Sequence, residues 1–201
     1  LAAGDWTMGA GQEGYRCVRE TIDEPVLVHE FYPIAPEGTH HTVVTFDTTP
    51  STPDGVTDCT ATTNGPDMIY GSGVGTEPLI LPEGVAVEIP AGAQVLVNLH
   101  LFNTGTEVLT GNSGIEVVTM PEALVENRAE VVLAGPADFS IPPMTSGHVV
   151  DGGCTFSGNA TVFAVMPHMH QLGTAMTVET GGEILYEGTY SFDDQRYFDI
   201  A

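Results

Sequence analysis

The segment QVLVNLHLF, residues 94–102, is the clearest β-strand pattern in the chain. Successive side chains of a strand point to opposite faces of the sheet, so one face of this segment is wholly apolar. That face consists of Val95, Val97, Leu99 and Leu101. The opposite face carries His100 beside Asn98. The pattern therefore predicts a strand that packs one face into a core and leaves His100 on the other side.

Other short runs of this kind follow along the chain, separated by turn-forming stretches such as TTPSTPDG, NTGTE and GPADFSIPP. The runs are Val26–Val28, Thr42–Phe46, Val85–Ile89, Ile115–Val118, Glu130–Leu133, Thr161–Val165 and Met176–Glu179. Regularly spaced short strands with turn signals predict an all-β protein built from antiparallel sandwiches or jelly rolls. Residues 119–130 predict a linker or one helical turn, and we place a domain boundary near residue 122.

Composition narrows the range of partners. The chain has 201 residues, enough for one large domain or two small ones. Its net charge is −23, and its four basic residues are all arginine. A surface of this charge disfavours nucleic acid and anionic membranes as partners. No apolar run approaches the roughly 18 to 20 residues of a membrane span. The start at Leu1 without a leader suggests a removed signal peptide or a trimmed sequence.

Two adjacent histidines, His40 and His41, stand in PEGTHHTVVTF, residues 36–46. A regular strand would point their rings to opposite faces. Either one of them is an ordinary surface residue, or the PEGT turn bends the backbone so that both reach one ligand. In the second case we expect one ring to bind through Nδ1 and the other through Nε2.

A further pair, His168 and His170, stands in TVFAVMPHMHQLG. Residues two apart project from the same face of a strand, so the two rings can hold one metal ion. Pro167 cannot donate to a sheet ladder, which indicates an edge or bulged position. Bulges often redirect side chains beside active sites.

Five of the seven histidines thus fall into three groups, and imidazole suits copper, zinc, nickel or iron. The remaining two, His29 and His148, are interpreted as structural or surface residues. A cupin also carries H-x-H on a jelly roll, but its motif requires a glutamate where this chain has Thr174 and Ala175. The sequence contains no serine nucleophile elbow, phosphate loop or zinc-protease helix motif, which excludes those enzyme classes.

The segments GTHHTV, LVNLHLFN and MPHMHQLG together resemble the copper type II, ascorbate-dependent monooxygenases. This family includes peptidylglycine α-hydroxylating monooxygenase and dopamine β-monooxygenase. The similarity extends from about Gln12 to the final YSFDDQRYFDI. It implies two jelly-roll sandwiches in tandem, each holding one copper ion and facing the other across a cleft. We accordingly expect domains at 1–122 and 123–201, with the second incomplete in this sequence.

The resemblance also implies a role for each histidine group. His40, His41 and His100 would hold the copper that stores and delivers an electron. His168 and His170 would be the catalytic pair at the oxygen-binding copper. The expected reaction is hydroxylation of a C–H bond in a small molecule or peptide, with O2 and a reductant such as ascorbate.

The cysteines indicate the cellular compartment in which the protein is expected. By the same resemblance, Cys17 and Cys59 would form a disulfide that brackets the histidine pair. Disulfides persist in oxidising environments, so we expect a secreted, periplasmic or cell-surface protein.

The sequence departs from the family at three points. No methionine next to a cysteine follows as a further ligand of the oxygen-binding copper, and Cys154 has no partner. Both gaps suggest a fragment of a longer chain. Met144, Met166, Met169 and Met176 are the methionines that could supply the thioether instead, but apolar packing is the preferred interpretation of each. Met166 stands where the amidating branch has an arginine, which disfavours a peptidylglycine substrate. Two alternatives stay open, namely a secreted copper-binding or structural module without catalysis and a zinc-binding surface protein.

Overall fold

Strands make up almost all of the regular structure. The computed structural model describes residues 1–136, 138–192 and 194–200. Its strands are β1 Ala2–Met8, β2 Glu13–Thr21, β3 Val26–Ile34, β4 Thr39–Asp47, β5 Gly55–Asp58, β6 Asp67–Ser72, β7 Leu79–Ile80, β8 Val85–Ile89, β9 Gln94–Phe102, β10 Leu109–Thr119, β11 Asn127–Arg128, β12 Ala164–Val165, β13 Ala175–Thr180, β14 Glu183–Thr189 and β15 Phe198–Asp199. Within the described ranges, the one helical element is a 3-10 turn at Glu122–Leu124, inside the predicted linker.

Two sheets contain eleven of these strands. The first sheet has the order β1-β10-β3-β8-β11, and β7 also pairs with β3. The second has the order β5-β2-β9-β4-β6. Every pairing is antiparallel except the short contact between β11 and β8. The all-β, antiparallel sandwich architecture is therefore confirmed, while the jelly-roll connectivity and the tandem domains stay predictions.

The core lies between the two sheets. In β9 the predicted apolar face is fully buried, with 0% exposure at Val95, Val97, Leu99 and Leu101. The same cluster contains Phe31, Ile89 and Ile115 from the first sheet. Burial of each such side chain stabilises the fold by about 1.5–3 kcal/mol. Because β9 is the central strand of the second sheet, the packing of its apolar face fixes the direction in which His100 points.

Two strand predictions need correction. Glu130–Leu133 forms no strand, and Leu133 is 74% exposed. The run is apolar, but a strand requires hydrogen-bonding partners on a neighbouring strand, and this segment pairs with none of the described strands. In the predicted Thr161–Val165 only Ala164–Val165 is a strand, paired with β15.

The end of the described chain returns to the second sheet. Four strands after residue 160 form two separate two-stranded sheets, β12 with β15 and β13 with β14. The side chain of Tyr197 binds both backbone groups of Gly71 in β6, accepting from the amide at 3.1 Å and donating to the carbonyl at 2.7 Å. Burial raises the pKa of Tyr197, so its hydroxyl keeps the donated proton. This contact holds the segment around residue 195 against the N-terminal sandwich.

The disulfide between Cys17 and Cys59 is formed, with the two Cα atoms 5.8 Å apart. Cys17 lies in β2 opposite Asn98 of β9. The Asn98 amide donates to the carbonyl oxygens of Thr60 at 3.0 Å and Thr63 at 2.8 Å. The disulfide and these hydrogen bonds together fix the loop after Cys59 over the outer face of β9, next to His100.

Candidate metal centre

A β-bulge brings the two adjacent histidines to one side of the second sheet. In the pairing of β4 with β9, Thr39 lies opposite Leu101 and His41 lies opposite His100. His40 is therefore the extra residue of a bulge. A bulge re-aims a side chain that regular alternation would send to the other face. The bend expected from the sequence is present, and it falls at His40 itself.

The turn before the bulge is held by contacts with the first sheet. Gly38 has φ = 97°, a conformation that glycine adopts without steric cost. The Thr39 amide donates to the Pro36 carbonyl at 3.0 Å. The hydroxyls of Thr39 and Ser113 are 2.6 Å apart, and the buried indole of Trp6 donates to Ser113 at 2.7 Å. This chain of hydrogen bonds fixes the point at which β4 enters the bulge.

Three imidazoles converge at the bulge and form what we call the histidine triad, His40, His41 and His100. The Nδ1 atoms of His40 and His41 are 2.9 Å apart, and those of His41 and His100 are 3.3 Å apart. One ligand atom from each of the three residues lies within 4.8 Å of the others. The sequence predicted mixed Nδ1 and Nε2 coordination, whereas both members of the adjacent pair face the cluster with Nδ1.

These separations fit a shared metal ion. Nitrogen ligands about 2.0–2.1 Å from one ion lie about 2.9–3.4 Å apart at angles between octahedral and tetrahedral. The two measured Nδ1 separations fall inside this range. Three neutral imidazoles suit copper and zinc alike, so the donor set agrees with copper without selecting it.

The neutral form of His41 is favoured at the centre of the triad. Burial lowers the pKa of His41 to about 3, and repulsion from His40 and His100 acts in the same direction. A neutral imidazole has a lone pair available for a metal, whereas an imidazolium does not. His41 is therefore kept in the charge state that metal binding requires.

The ring of His100 is oriented by two residues of β2. Its Nε2 atom lies 2.7 Å from the Glu13 carboxylate, and Tyr15 stacks on the ring at 4.6 Å between centroids. Since the carboxylate accepts the Nε2 proton, the Nδ1 lone pair of His100 points toward the triad. Metal-binding histidines commonly have such a carboxylate partner on the other ring nitrogen.

The second predicted group, His168 and His170, lies next to the triad. Their ring centroids are 5.4 Å apart, and the ring of His168 is 6.4 Å from that of His41. The sequence predicted a strand here, but the segment after β12 has no regular structure. Among the described residues, the triad is the one group of three or more histidine, cysteine or acidic side chains close enough to hold an ion.

Two residues that sequence reasoning missed contact the histidines, and one of them, Gln195, contacts both groups. The buried Gln195 contacts His168 with its Oε1 atom at 2.6 Å and His41 with its Nε2 atom at 3.2 Å. The Phe192 ring lies 5.4 Å from His40 and 5.8 Å from His41, between centroids. Both residues are more than 150 positions from the adjacent pair, and no local pattern marks them.

The remaining histidines take the ordinary positions that the sequence suggested. His29 contacts the Val85 carbonyl oxygen through Nδ1 at 2.9 Å, and His148 is exposed. Cys154 is exposed with a free thiol. These residues are not part of the site.

A surface pocket of about 510 Å³ opens beside the triad. Its wall includes His40, Thr76 and Phe102, together with Gly38 of the turn. Glu37 is the single acidic side chain in this lining, and no lysine or arginine is present there. The pocket therefore suits a neutral or cationic small molecule better than an anion.

Comparison with known proteins does not assign the chain, because no family model and no curated protein matches it. In the part of the chain that the structure describes, no helix has the length and apolar character needed to cross a membrane. The chemistry open to this protein follows from its own side chains, and the histidine triad is the strongest ligand set among them.

Proposed function

We propose that this chain belongs to a copper- and ascorbate-dependent monooxygenase, in which the histidine triad holds the electron-storing copper. The observation that supports this most directly is the convergence of three Nδ1 atoms from a bulged strand and its central neighbour. Half-buried imidazole ligands suit copper, and a bound copper ion would supply one-electron redox chemistry toward dioxygen.

His168 and His170 would hold the second copper, which would supply the oxygen chemistry for hydroxylating a C–H bond of the substrate. Their closeness to His41 supports this assignment, because two ions that exchange electrons benefit from a short separation. Gln195 contacts His168 and His41, and the Phe192 ring packs against His40 and His41. In this proposal, the pocket beside His40 admits a neutral or cationic small-molecule substrate.

Export of the protein is part of the same proposal. The disulfide between Cys17 and Cys59 requires an oxidising environment to form and persist. A net charge of −23 with no lysine disfavours nucleic acid as a partner. We therefore place the protein outside the cytoplasm, as a secreted, periplasmic or cell-surface protein.

Copper analysis and ascorbate-driven oxygen uptake test this function. We expect two copper ions per molecule of the complete protein, and oxygen uptake that depends on ascorbate and on substrate. His100→Ala should lose one ion and all turnover, whereas His148→Ala, at an exposed histidine outside the site, should keep both. A wild-type protein that binds no copper under these conditions would rule the proposal out.

One observation favours a second candidate, a secreted copper-binding module without catalysis. Among the described residues, only the triad gathers three close ligands, while His168 and His170 are two. This candidate predicts one copper ion per chain and no oxygen uptake. A zinc-binding surface protein is distinguished from both by metal analysis of the isolated protein and by the Cu(II) spectrum of the loaded site.

A further inference from the structure

The side chain of Gln195 makes three contacts in a buried position, and its residue is only 1% exposed. Its Oε1 atom lies 2.6 Å from Nδ1 of His168. Its Nε2 atom lies 3.2 Å from Nε2 of His41 and donates to the Phe192 carbonyl oxygen at 2.9 Å. One amide therefore contacts a member of each histidine group.

The Phe192 carbonyl fixes the orientation of this amide. A carbonyl oxygen accepts hydrogen bonds and cannot donate, so the Gln195 atom facing it must be the NH2 group. Reversing the amide would place two oxygens against each other. The second hydrogen of the NH2 group then points at His41, and Oε1 faces His168.

This orientation dictates where each ring carries its proton. A neutral imidazole has one N–H, and its other nitrogen accepts. His41 accepts from Gln195 at Nε2, so its proton lies on Nδ1, within 2.9 Å of Nδ1 of His40. His168 donates from Nδ1 to Oε1, which leaves its Nε2 lone pair available.

The segment that carries Gln195 is held firmly in place. The Thr76 hydroxyl donates to the backbone carbonyl of Gln195. Two residues further on, the Tyr197 hydroxyl is bonded to both backbone groups of Gly71. The amide therefore cannot swing away from His41 without breaking other contacts or changing its own rotamer.

We propose that Gln195 is a positioning residue that opposes metal binding at the histidine triad and couples the triad to His168. Coordination through Nδ1 of His41 requires the ring proton to move to Nε2, with no net gain or loss of protons. The NH2 group of Gln195 and the Nε2–H of His41 are then both donors, so the hydrogen bond between them breaks. Displacing the amide also removes the acceptor of the Nδ1 proton of His168. An ion at the triad therefore changes the hydrogen bonding of His168, which is a proposed ligand of the second ion.

This coupling rests on the proposed metal site, but not on copper redox chemistry. Linkage makes it reciprocal, so an ion at His168 and His170 changes the affinity of the triad by the same factor. The expected change in affinity is about 3- to 10-fold, which corresponds to the free energy of one buried hydrogen bond. Zinc serves as the probe, because it is diamagnetic and takes no part in electron transfer.

The first measurement uses the wild-type protein. Two-bond ¹H–¹⁵N correlation spectra distinguish the two neutral tautomers of each histidine. In the metal-free protein we expect His41 as the Nδ1–H form, and on zinc addition its remaining proton should appear on Nε2. Finding His41 as the Nε2–H form without metal would overturn the inference.

The second measurement compares two equal substitutions. Gln195→Leu keeps the size of the side chain and removes the amide, and we expect zinc to bind the triad about 3- to 10-fold more tightly. The control is Gln94→Leu at the other end of β9, where a buried glutamine contacts Thr52 and Asp54. A glutamine that merely supports the fold would give the opposite sign, weaker binding in Gln195→Leu, and that result refutes the proposal.

The two proposals fail in different ways. A protein that binds zinc with the expected tautomer change but shows no oxygen uptake retains the Gln195 coupling and loses the monooxygenase function. A protein that binds neither zinc nor copper loses both.

Discussion

Glu13 is expected to set the metal affinity of the triad from outside it. The carboxylate lies 2.7 Å from Nε2 of His100. The ring of Tyr15 stacks on the face of the His100 ring at an interplanar angle of 8°. The substitution Glu13→Gln keeps the shape of the side chain and removes its charge. His100 then has a weaker acceptor and loses part of its preference for carrying the proton on Nε2.

The magnitude follows from the exposure of the contact. Loss of a partner on the second nitrogen of a metal-binding histidine typically costs 10- to 100-fold in affinity. The Glu13 side chain is 57% exposed and the His100 side chain 14%, so solvent screens the interaction and the lower end applies. We expect about a 10-fold loss, equivalent to about 1.4 kcal/mol of binding free energy.

Competition titration of copper against a chromophoric chelator measures this change. The matched control is Glu20→Gln, an exposed glutamate of the same strand seven residues away, which removes the same charge. We expect the control to bind copper like the wild type and both variants to unfold at the wild-type temperature when metal-free. An unchanged affinity in Glu13→Gln, or an equal loss in Glu20→Gln, would show that the carboxylate contact has no specific role.

Three further predictions concern the scaffold. Cys17→Ser should lower the free energy of unfolding by about 4 kcal/mol, because the disulfide closes a 42-residue separation, and a urea titration giving less than about 1 kcal/mol would contradict this. Gly38→Ala should cost about 1–2 kcal/mol and weaken metal binding, because φ is 97° and the added Cβ would lie 2.7 Å from Trp6. Wild-type behaviour in both assays would show that the turn does not require glycine. Asn98→Leu should cost about 1–3 kcal/mol by leaving two loop carbonyls without their donor, with copper affinity kept, and a loss of affinity would mean that the loop also orients His100.

The strands that were predicted correctly are those in which large apolar side chains indicate a buried face. β9 points Val95, Val97, Leu99 and Leu101 to one face in regular alternation, and these four residues reach 0% exposure. β1 alternates just as regularly, with Ala2, Gly4, Trp6 and Met8 inside, yet it was not predicted. Its inward residues include alanine and glycine, whose small apolar area gives a weak signal. Trp6 contacts Gly111 so closely that a Cβ at position 111 would lie 2.4 Å away. The packing of Trp6 therefore requires a glycine on the paired strand, which is visible only once the strand pairing is known.

The incorrectly predicted strand at Glu130–Leu133 shows that an apolar sequence pattern alone does not predict strand pairing. Its residues have strand propensity, but propensity alone does not supply the neighbouring strand that the backbone groups need. None of the described strands pairs with it, and Leu133 stays exposed. Sequence pattern thus predicts which faces are apolar, whereas pairing depends on contacts distant along the chain.

The same distinction applies to the site. The five histidines were recognisable as candidates because they fall into three groups of strand or neighbouring positions. Glu13, Tyr15 and Gln195 were not, because their roles arise from register and from long-range packing. Tyr15 meets His100 only through the pairing of β2 with β9, and Gln195 reaches His41 across 154 residues.

The bulge at His40 explains why the triad and the core are specified together. Residues opposite each other in a sheet share a face, and Thr39 pairs with Leu101 on the core side. Continuing that register without a bulge would pair His41 with Leu99, burying an imidazole in the apolar core and turning Val44 outward. The inserted residue restores Val44 to full burial and places His41 opposite His100 on the outer face. One extra position in β4 therefore satisfies the hydrophobic pattern of the strand and assembles the three ligands at once.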